Sequence, residues 1–334
     1  MRRETIRRLI SLGLLLALTL AFGLSSKYFF TSRNIFLLLR ESAIVGILAV
    51  GVTMVIITGG NDLSCGALLG LNAMVMTRLV HTTSMPMPAI LAVMFLVSVC
   101  GGLLNGYLVS VLRIPDFIAT LSSQFVFTGL TMILALRAET GMITTRPVND
   151  PTVVSLNGGV GGMFYVTIVF FIVAAAGQFL LKNTKLGVHI YAIGSNRNSA
   201  ELSGINYKKT KFVVFMISAM CAFIGSLFFM AKIRSAETTS GTGMEFQAIA
   251  ATVIGGCSFT GGQGNILGTV IGVLFLKVLE NGIFKFNLKT QTQQIASGII
   301  IVSMLLFDAA YNRYMQAKVT KSAAVAREKK AVIS

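Results

Sequence analysis

Apolar residues fall along this chain in long blocks rather than in one-sided stripes, and the blocks are near the ~20 residues that carry a helix across a bilayer. The pattern predicts crossings over Leu9–Leu24, a helix capped by Asn34 that runs on through Ile44–Ile57, Leu63–Val80, Ala89–Leu112, Phe117–Leu136 and Met163–Leu181. Later crossings are predicted at Phe212–Ala231, Asn265–Ile283 and Gln294–Phe307. Met85-Pro86-Met87-Pro88 and Arg113-Ile114-Pro115 break the blocks, because proline cannot continue a helix ladder. The predicted fold is all-α: a polytopic transmembrane bundle of about 8–10 spans, forming one transmembrane domain over residues 1–334 with a basic tail from about 312.

One stretch breaks the pattern. Ala250–Gly268 holds six glycines (255, 256, 261, 262, 264 and 268) with Ser258, Thr260, Gln263 and Asn265 between them. Backbone so rich in glycine is a poor helix. In hydrocarbon it survives only when packed in protein or lining a cavity. If it makes a full crossing the total is ten, and a re-entrant loop reduces it. An echo lies upstream: residues 57–66 (ITGGNDLSCG) align without gaps on 253–262 (VIGGCSFTGG) at a constant offset of 196. Paired Gly-interrupted segments point to the substrate path of a transporter, while small-residue motifs also recur simply to let helices pack closely. The echo implies two weakly related halves.

Charge sets the orientation. Only 12% of residues are charged, about half the share in a soluble domain, yet the net charge is +16. The cations gather before the first block (Arg2, Arg3, Arg7, Arg8), in the loop holding Lys182, Lys185, Arg197, Lys208, Lys209 and Lys211, and after the last block. That is positive-inside bias facing anionic lipid, not a nucleic-acid surface. Six crossings from a cytoplasmic amino terminus bring the chain back to the cytoplasm at Lys182, so both termini are expected there. The first apolar block resembles a signal peptide but reads as an uncleaved first helix. Cys65, Cys100, Cys221 and Cys257 sit in or beside apolar segments without CxxC spacing, and His81 and His189 stand apart, so no metal site is expected.

Few residues offer chemistry. Asp62 is the one acid set amid apolar sequence in the first half, and it reads as a cap on the helix starting at Leu63 or as an ion site. Glu41, Glu245, Glu280 and Asp308 fall near span ends and read as interfacial. Asn105, Gln124, Asn281 and Gln294 could line a sugar-sized path or bond helix to helix. Phe117 could stack on a sugar face or simply face lipid. In the basic loop, Asn196 or Asn198 can start and Gly204 can stop a two-turn helix, suited either to docking on a partner or to linking two spans. No phosphate-binding GxxxxGK(S/T), HExxH or GxSxG occurs, so neither ATP binding of that kind nor hydrolysis is expected of this chain.

Together, GVTMVIITGGNDLSCG (51–66), RIPDFIATLSS (113–123), YAIGSNRNSAELSGI (191–205), GMEFQAIAATVIGGCSFTGGQGNILGTVIG (243–272) and Leu279-Glu280-Asn281-Gly282 resemble the permease subunits of bacterial ABC importers for ribose, other simple sugars and autoinducer-2. The family typically has isoleucine at Asn61, valine at Cys65 and commonly glycine at Ser122, so the solute need not follow the ribose members. The resemblance implies a multi-pass protein of the bacterial inner membrane. Its implied partners are a second permease subunit (the same or a related chain), a cytoplasmic ABC ATPase that uses ATP and Mg, and an extracytoplasmic sugar-binding protein. It places Arg197, Asn198, Ser199, Ala200, Glu201, Leu202, Ser203 and Gly204 as the ATPase-coupling segment. Candidate pathway residues are Asn61, Asp62, Ser64, Phe117, Thr120, Ser258, Thr260 and Asn281. A stand-alone carrier with Asp62 as its ion site is the alternative.

Overall fold

The structure is a computed structural model that describes residues 2–25, 28–135 and 145–285, together with 292, 295, 298, 299, 302 and 303. It divides into a unit of residues 1–282 and a unit of residues 283–334. The crossing expected at Gln294–Phe307, Asp308 and the basic tail lie outside the described residues or at isolated positions among them.

The long helices form where the apolar blocks predicted them, and the shorter α6, α8, α9 and α11 form outside those blocks: α1 (Arg2–Ser25), α2 (Ser32–Ile57), α3 (Cys65–Thr82), α4 (Met87–Ser110), α5 (Asp116–Leu134), α6 (Pro151–Ser155), α7 (Tyr165–Asn183), α8 (Lys185–Ser195), α9 (Arg197–Leu202), α10 (Tyr207–Ile233), α11 (Met244–Ile254) and α12 (Ile266–Lys285). Among the described residues six are long and apolar enough to cross a membrane: α2, α4, α5, α7, α10 and α12. Among the described residues the strands form one hairpin of two residues each, Gly159–Val160 paired with Met163–Phe164. The protein is an all-α, multi-pass membrane bundle.

Composition explains which helices lie inside. From Ser42 to Ile57 every residue of α2 is buried, as befits a helix that is apolar on all sides. It packs on α7, α10 and α11, and α10 packs in turn on α3 and α4. Close approach between α4 and α10 depends on glycine: a Cβ at Gly106 would press on the Phe212 ring. Leu96 on α4, Phe125 and Ile133 on α5 and Phe179 on α7 remain exposed, an outward apolar surface that suits lipid rather than water. Asn34 does not cap α2. Thr31 does, because its backbone is extended and its hydroxyl accepts from the Asn34 N–H, while the Asn34 side chain turns to Phe29 O and to Asn281.

Two ends of the first unit are distinguishable. At one, Arg40 bonds Asn157 and lies 4.5 Å over the Phe164 ring, while Glu41 pairs with Lys232 at the carboxyl end of α10. At the other, the end of α2 meets α8 and the loop that follows α11.

Candidate functional site

Helix α2 stops at a glycine pair. The Gly59 N–H donates to Ile56 O at 2.9 Å and the Gly60 N–H to Val55 O at 3.1 Å, with Gly59 at φ +77°. This is a Schellman termination, and its left-handed position favours a residue with no Cβ. Residues 60–64 then run without helix, so α3 begins at Cys65 rather than at Leu63.

Asp62 lies in that break, 3% exposed. It does not cap a helix at Leu63. Its Oδ1 accepts from the Ser64 N–H at 2.9 Å and the Ser64 hydroxyl at 2.7 Å, which turns Ser64 away from the capping role its position offers. Its Oδ2 accepts from the Ser218 hydroxyl of α10 at 2.6 Å. Asn105 of α4 donates to Ser64 Oγ at 2.7 Å, and Thr120 of α5 accepts from the Leu63 N–H at 3.2 Å. The break is therefore stitched to three helices by side-chain hydrogen bonds, while the Thr120 hydroxyl and the Asp62 carboxylate satisfy its Leu63 and Ser64 N–H groups.

Directly beside it is an ion pair. Lys211, 2% exposed on α10, pairs with Asp116 in the first turn of α5. A Cβ at Gly60 would fall on both charged groups, so glycine is what lets the break sit against them.

A second break repeats the first. At the end of α11 the Gly256 N–H donates to Val253 O and the Cys257 N–H to Thr252 O, with Gly256 at φ +93°. The bond pattern is that of Gly59 and Gly60, but one residue further on than the gapless sequence alignment: Gly256, not Gly255, takes the left-handed position. Gly255 instead meets α12 backbone to backbone, where a Cβ would strike the Gly268 carbonyl. With 11 residues, α11 is roughly 16 Å long, about half the hydrocarbon core. Helices α2 and α11 also bring their carboxyl ends to the same place, so the two segments run in the same sense: Thr53 Oγ1 lies 3.2 Å from Thr252 Oγ1 and 2.7 Å from Thr269 Oγ1.

Glu245, at the start of α11, corrects an expectation. It reads from sequence as interfacial, yet it is fully buried. The reason is that α11 starts inside the bundle, with Gly241 and Glu245 seated on Gly66 of α3. Its Oε1 accepts from Gln124 of α5 at 3.1 Å and from the Gly243 N–H at 3.2 Å.

The two breaks touch. The Gly262 N–H donates to Ile57 O at 2.8 Å, and Gly194 of α8 fits into the same contact, where a Cβ would strike Ile57 O and lie 2.5 Å from Gly262 N. Tyr191 Oη donates to Gly264 O at 2.7 Å, so α8 lies against the Gly-rich loop.

From α8 the chain turns into α9. Asn196 caps it, accepting from the Ser199 N–H at 3.0 Å. Gly204 at φ +81° ends it, with Ile205 N–H bonded to Ala200 O. Arg197 bonds Glu201 at 3.1 Å and stacks 3.8 Å over the Tyr207 ring at the start of α10. Leu202 projects from this short helix 90% exposed.

A family model described as the permease component of branched-chain amino acid transport systems matches residues 34–305. The chain belongs to this permease family. It is 35% identical over 310 residues to the ribose import permease protein RbsC of Escherichia coli, covering 89% of this chain and 92% of that one. It is 34% identical over 286 residues to the D-allose transport system permease protein AlsC of Escherichia coli, 86% of each chain. It is 28% identical over 344 aligned positions to the xylose transport system permease protein XylH of Haemophilus influenzae, 86% of this chain and 92% of that one. No solved structure matches the chain. Membership favours a transport component over an enzyme, and a permease component over a lone carrier.

Within this permease the predicted residues separate into groups. Asn61, Asp62, Ser64 and Thr120 come together at the first break. Ser258 and Thr260 bond each other at 2.8 Å in the second. Phe117 is exposed on the outer face of α5. Asn281 lies apart on α12, where it exchanges amide bonds with Asn34 at 3.2 Å and joins α12 to α2. Arg197 through Gly204 form α9 and its stop. Sequence reasoning missed the Lys211–Asp116 pair and the Glu245–Gln124 contact. Their signal was available only as spacing on α5: Asp116, Thr120 and Gln124 recur every four residues, one face of a helix. An apolar groove of about 450 Å³ between α2, α7 and α10, lined by Met54, Met216 and Met220 among others, offers no polar groups to orient a hydroxyl-rich solute.

Proposed function

We propose that this chain is the membrane-spanning subunit of an ATP-driven ABC importer that moves a simple sugar or sugar-like solute across the bacterial inner membrane, with both termini cytoplasmic. The observation that carries the reading is α9. It is a capped two-turn helix, held to α10 by Arg197 on Tyr207, that presents a large apolar side chain to water. An exposed leucine on a clamped helix suits insertion into a groove on a partner, and the partner in this reading is a cytoplasmic ATPase. The cations around α9, Lys182, Lys185, Arg197, Lys208 and Lys209, support a cytoplasmic position for that end of the bundle.

The chain itself needs no ATP site. ATP and Mg act in the ATPase, and α9 carries the resulting movement to the helices. A second permease subunit completes the pathway, and an extracytoplasmic binding protein delivers the solute and supplies most of the selectivity. The sugar names of the relatives support the solute class. The polar surroundings of the first break are the part of this chain best suited to hydroxyl groups.

Uptake of labelled ribose, allose and xylose by cells carrying this chain, with and without a co-expressed ABC ATPase, tests the reading. Uptake that vanishes without the ATPase is expected. Uptake that persists without it overturns the proposal.

A further inference from the structure

One face of α10 touches, in order, each part that ATP-driven transport has to connect. Tyr207 carries Arg197 of α9 on its ring at 3.8 Å. One turn on, Lys211 pairs with Asp116 of α5, and its Nζ lies 5.9 Å from the Phe215 ring. Two turns further, Ser218 donates to Asp62 in the first break at 2.6 Å. Positions 207, 211, 215 and 218 share one helical face. The link from α9 to α10 is short and stiff. Gly204 closes α9, and Asn206 caps α10 by accepting from the Lys209 N–H at 2.9 Å.

We infer that the buried Lys211–Asp116 pair is a positioning element that makes the α9–α10 corner, the start of α5 and the α2–α3 break move as one body. This rests on the proposed role of α9. An ion pair in apolar surroundings resists separation, because parting leaves two uncompensated charges out of water. Lys211 is 2% exposed, and the Asp116 side chain 16%. Gly60 sits on the pair without an intervening side chain, and Thr120, one turn along α5 from Asp116, donates to Asp116 O at 2.8 Å and accepts from the Leu63 N–H at 3.2 Å. Displacement of α9 thus pulls α5 through charge and the Leu63 end of the unwound segment through a hydrogen bond, with the Gly60 end held by close packing on the pair. Asp116 is also well placed at the start of α5, where the helix dipole favours an anion.

A pair with a purely structural role and a pair that transmits movement differ under double substitution. Removing one partner strands a buried charge, whereas replacing both with apolar groups is often neutral for folding. Single variants D116L and K211M are expected to reduce the amount of folded protein, and the double variant D116L/K211M to restore it. In proteoliposomes containing the permease and its co-purified ATPase, the double variant is expected to assemble and hydrolyse ATP while solute moved per ATP falls at least tenfold. A folded, assembled double variant with the wild-type ratio overturns the inference. The wild-type complex in the same assay tests the underlying reading separately: solute uptake that consumes no ATP there would overturn the proposed function, and the coupling role with it.

Discussion

The backbone N–H of Gly262 donates to the carbonyl of Ile57 at 2.8 Å, joining the second Gly-rich break to the end of the helix that opens the first. Helix ends leave unpaired carbonyls, and here the loop of one break satisfies the end of the other. The contact is backbone on backbone: a Cβ at Gly261 would lie 2.8 Å from Gly59 Cα. Gly194 of α8 completes it, so the segment leading to α9 is seated on both breaks.

Gly194→Val is therefore expected to be costly. The added side chain collides with Ile57 O and the Gly262 backbone, and overpacking of this kind costs about 1–3 kcal/mol or more. Gly204→Ala is the contrast. Gly204 has open space around it but lies at φ +81°, so its cost is backbone strain of roughly 1 kcal/mol. Thermal unfolding of the detergent-solubilised protein, followed by loss of the monodisperse peak, should show the larger drop for the valine variant. Equal stability of the two would refute the packing account.

How much of this was legible in the sequence depends on which forces were local. Apolar blocks located the long helices, because length and hydrophobicity alone decide a crossing. Glycine marked both breaks and the end of α9, since a left-handed turn is a property of one residue. The helix caps were read less well: Thr31 and Ser64 hold the N-cap positions expected of Asn34 and Asp62. Burial of charge was not legible. Lys211 looked like one more cation in a basic loop, and Glu245 like an interfacial acid. Each is buried because of what the fold sets beside it, Asp116 for one and Gln124 with Gly66 for the other. The echo was visible, but its register was off by one, since the bond pattern and not residue identity defines the match.

Asp62 gives a test that separates a structural carboxylate from an ion site. Its two oxygens accept from the Ser64 N–H, the Ser64 hydroxyl and the Ser218 hydroxyl. In Asp62→Asn the amide oxygen keeps the Ser64 bonds, and the Ser218 hydroxyl can turn to accept from the amide N–H. This variant should keep at least half of the wild-type uptake. Asp62→Leu strands several buried donors at about 1–3 kcal/mol each and should yield little folded protein. A carrier that loads an ion on Asp62 would instead lose uptake with asparagine, so absence of transport by well-folded D62N, together with sensitivity to a protonophore at constant ATP, would revive that mechanism.

Thr53 tests whether the hydroxyl cluster between α2, α11 and α12 binds the helices together. Thr53→Val removes the contacts at 3.2 and 2.7 Å, but Thr252 and Thr269 still bond the carbonyls of Ala248 and Asn265. With those partners kept, the loss should be under about 1.5 kcal/mol. Gly255→Ala, one turn from this cluster on α11's end, places a methyl on the Gly268 carbonyl and should cost more. The same unfolding measurement ranks them, and a larger drop for T53V would make the hydroxyls, rather than close glycine packing, the main adhesive.

Leu202 separates docking from folding. At 90% exposure its side chain touches little of its own chain, and substitutions at such positions usually change stability by no more than about 0.5 kcal/mol. Leu202→Asp should leave the unfolding profile in place. Burial of a full leucine side chain on a partner contributes about 1.5–3 kcal/mol, a factor of ten or more in affinity. Co-purification of the ATPase with L202D should thus fall roughly tenfold or more, and uptake with it, while Leu202→Met, similar in volume and apolar, keeps both. Retention of the ATPase at wild-type level by L202D would move the docking surface away from α9, because no other side chain on that short helix offers comparable apolar area to a partner.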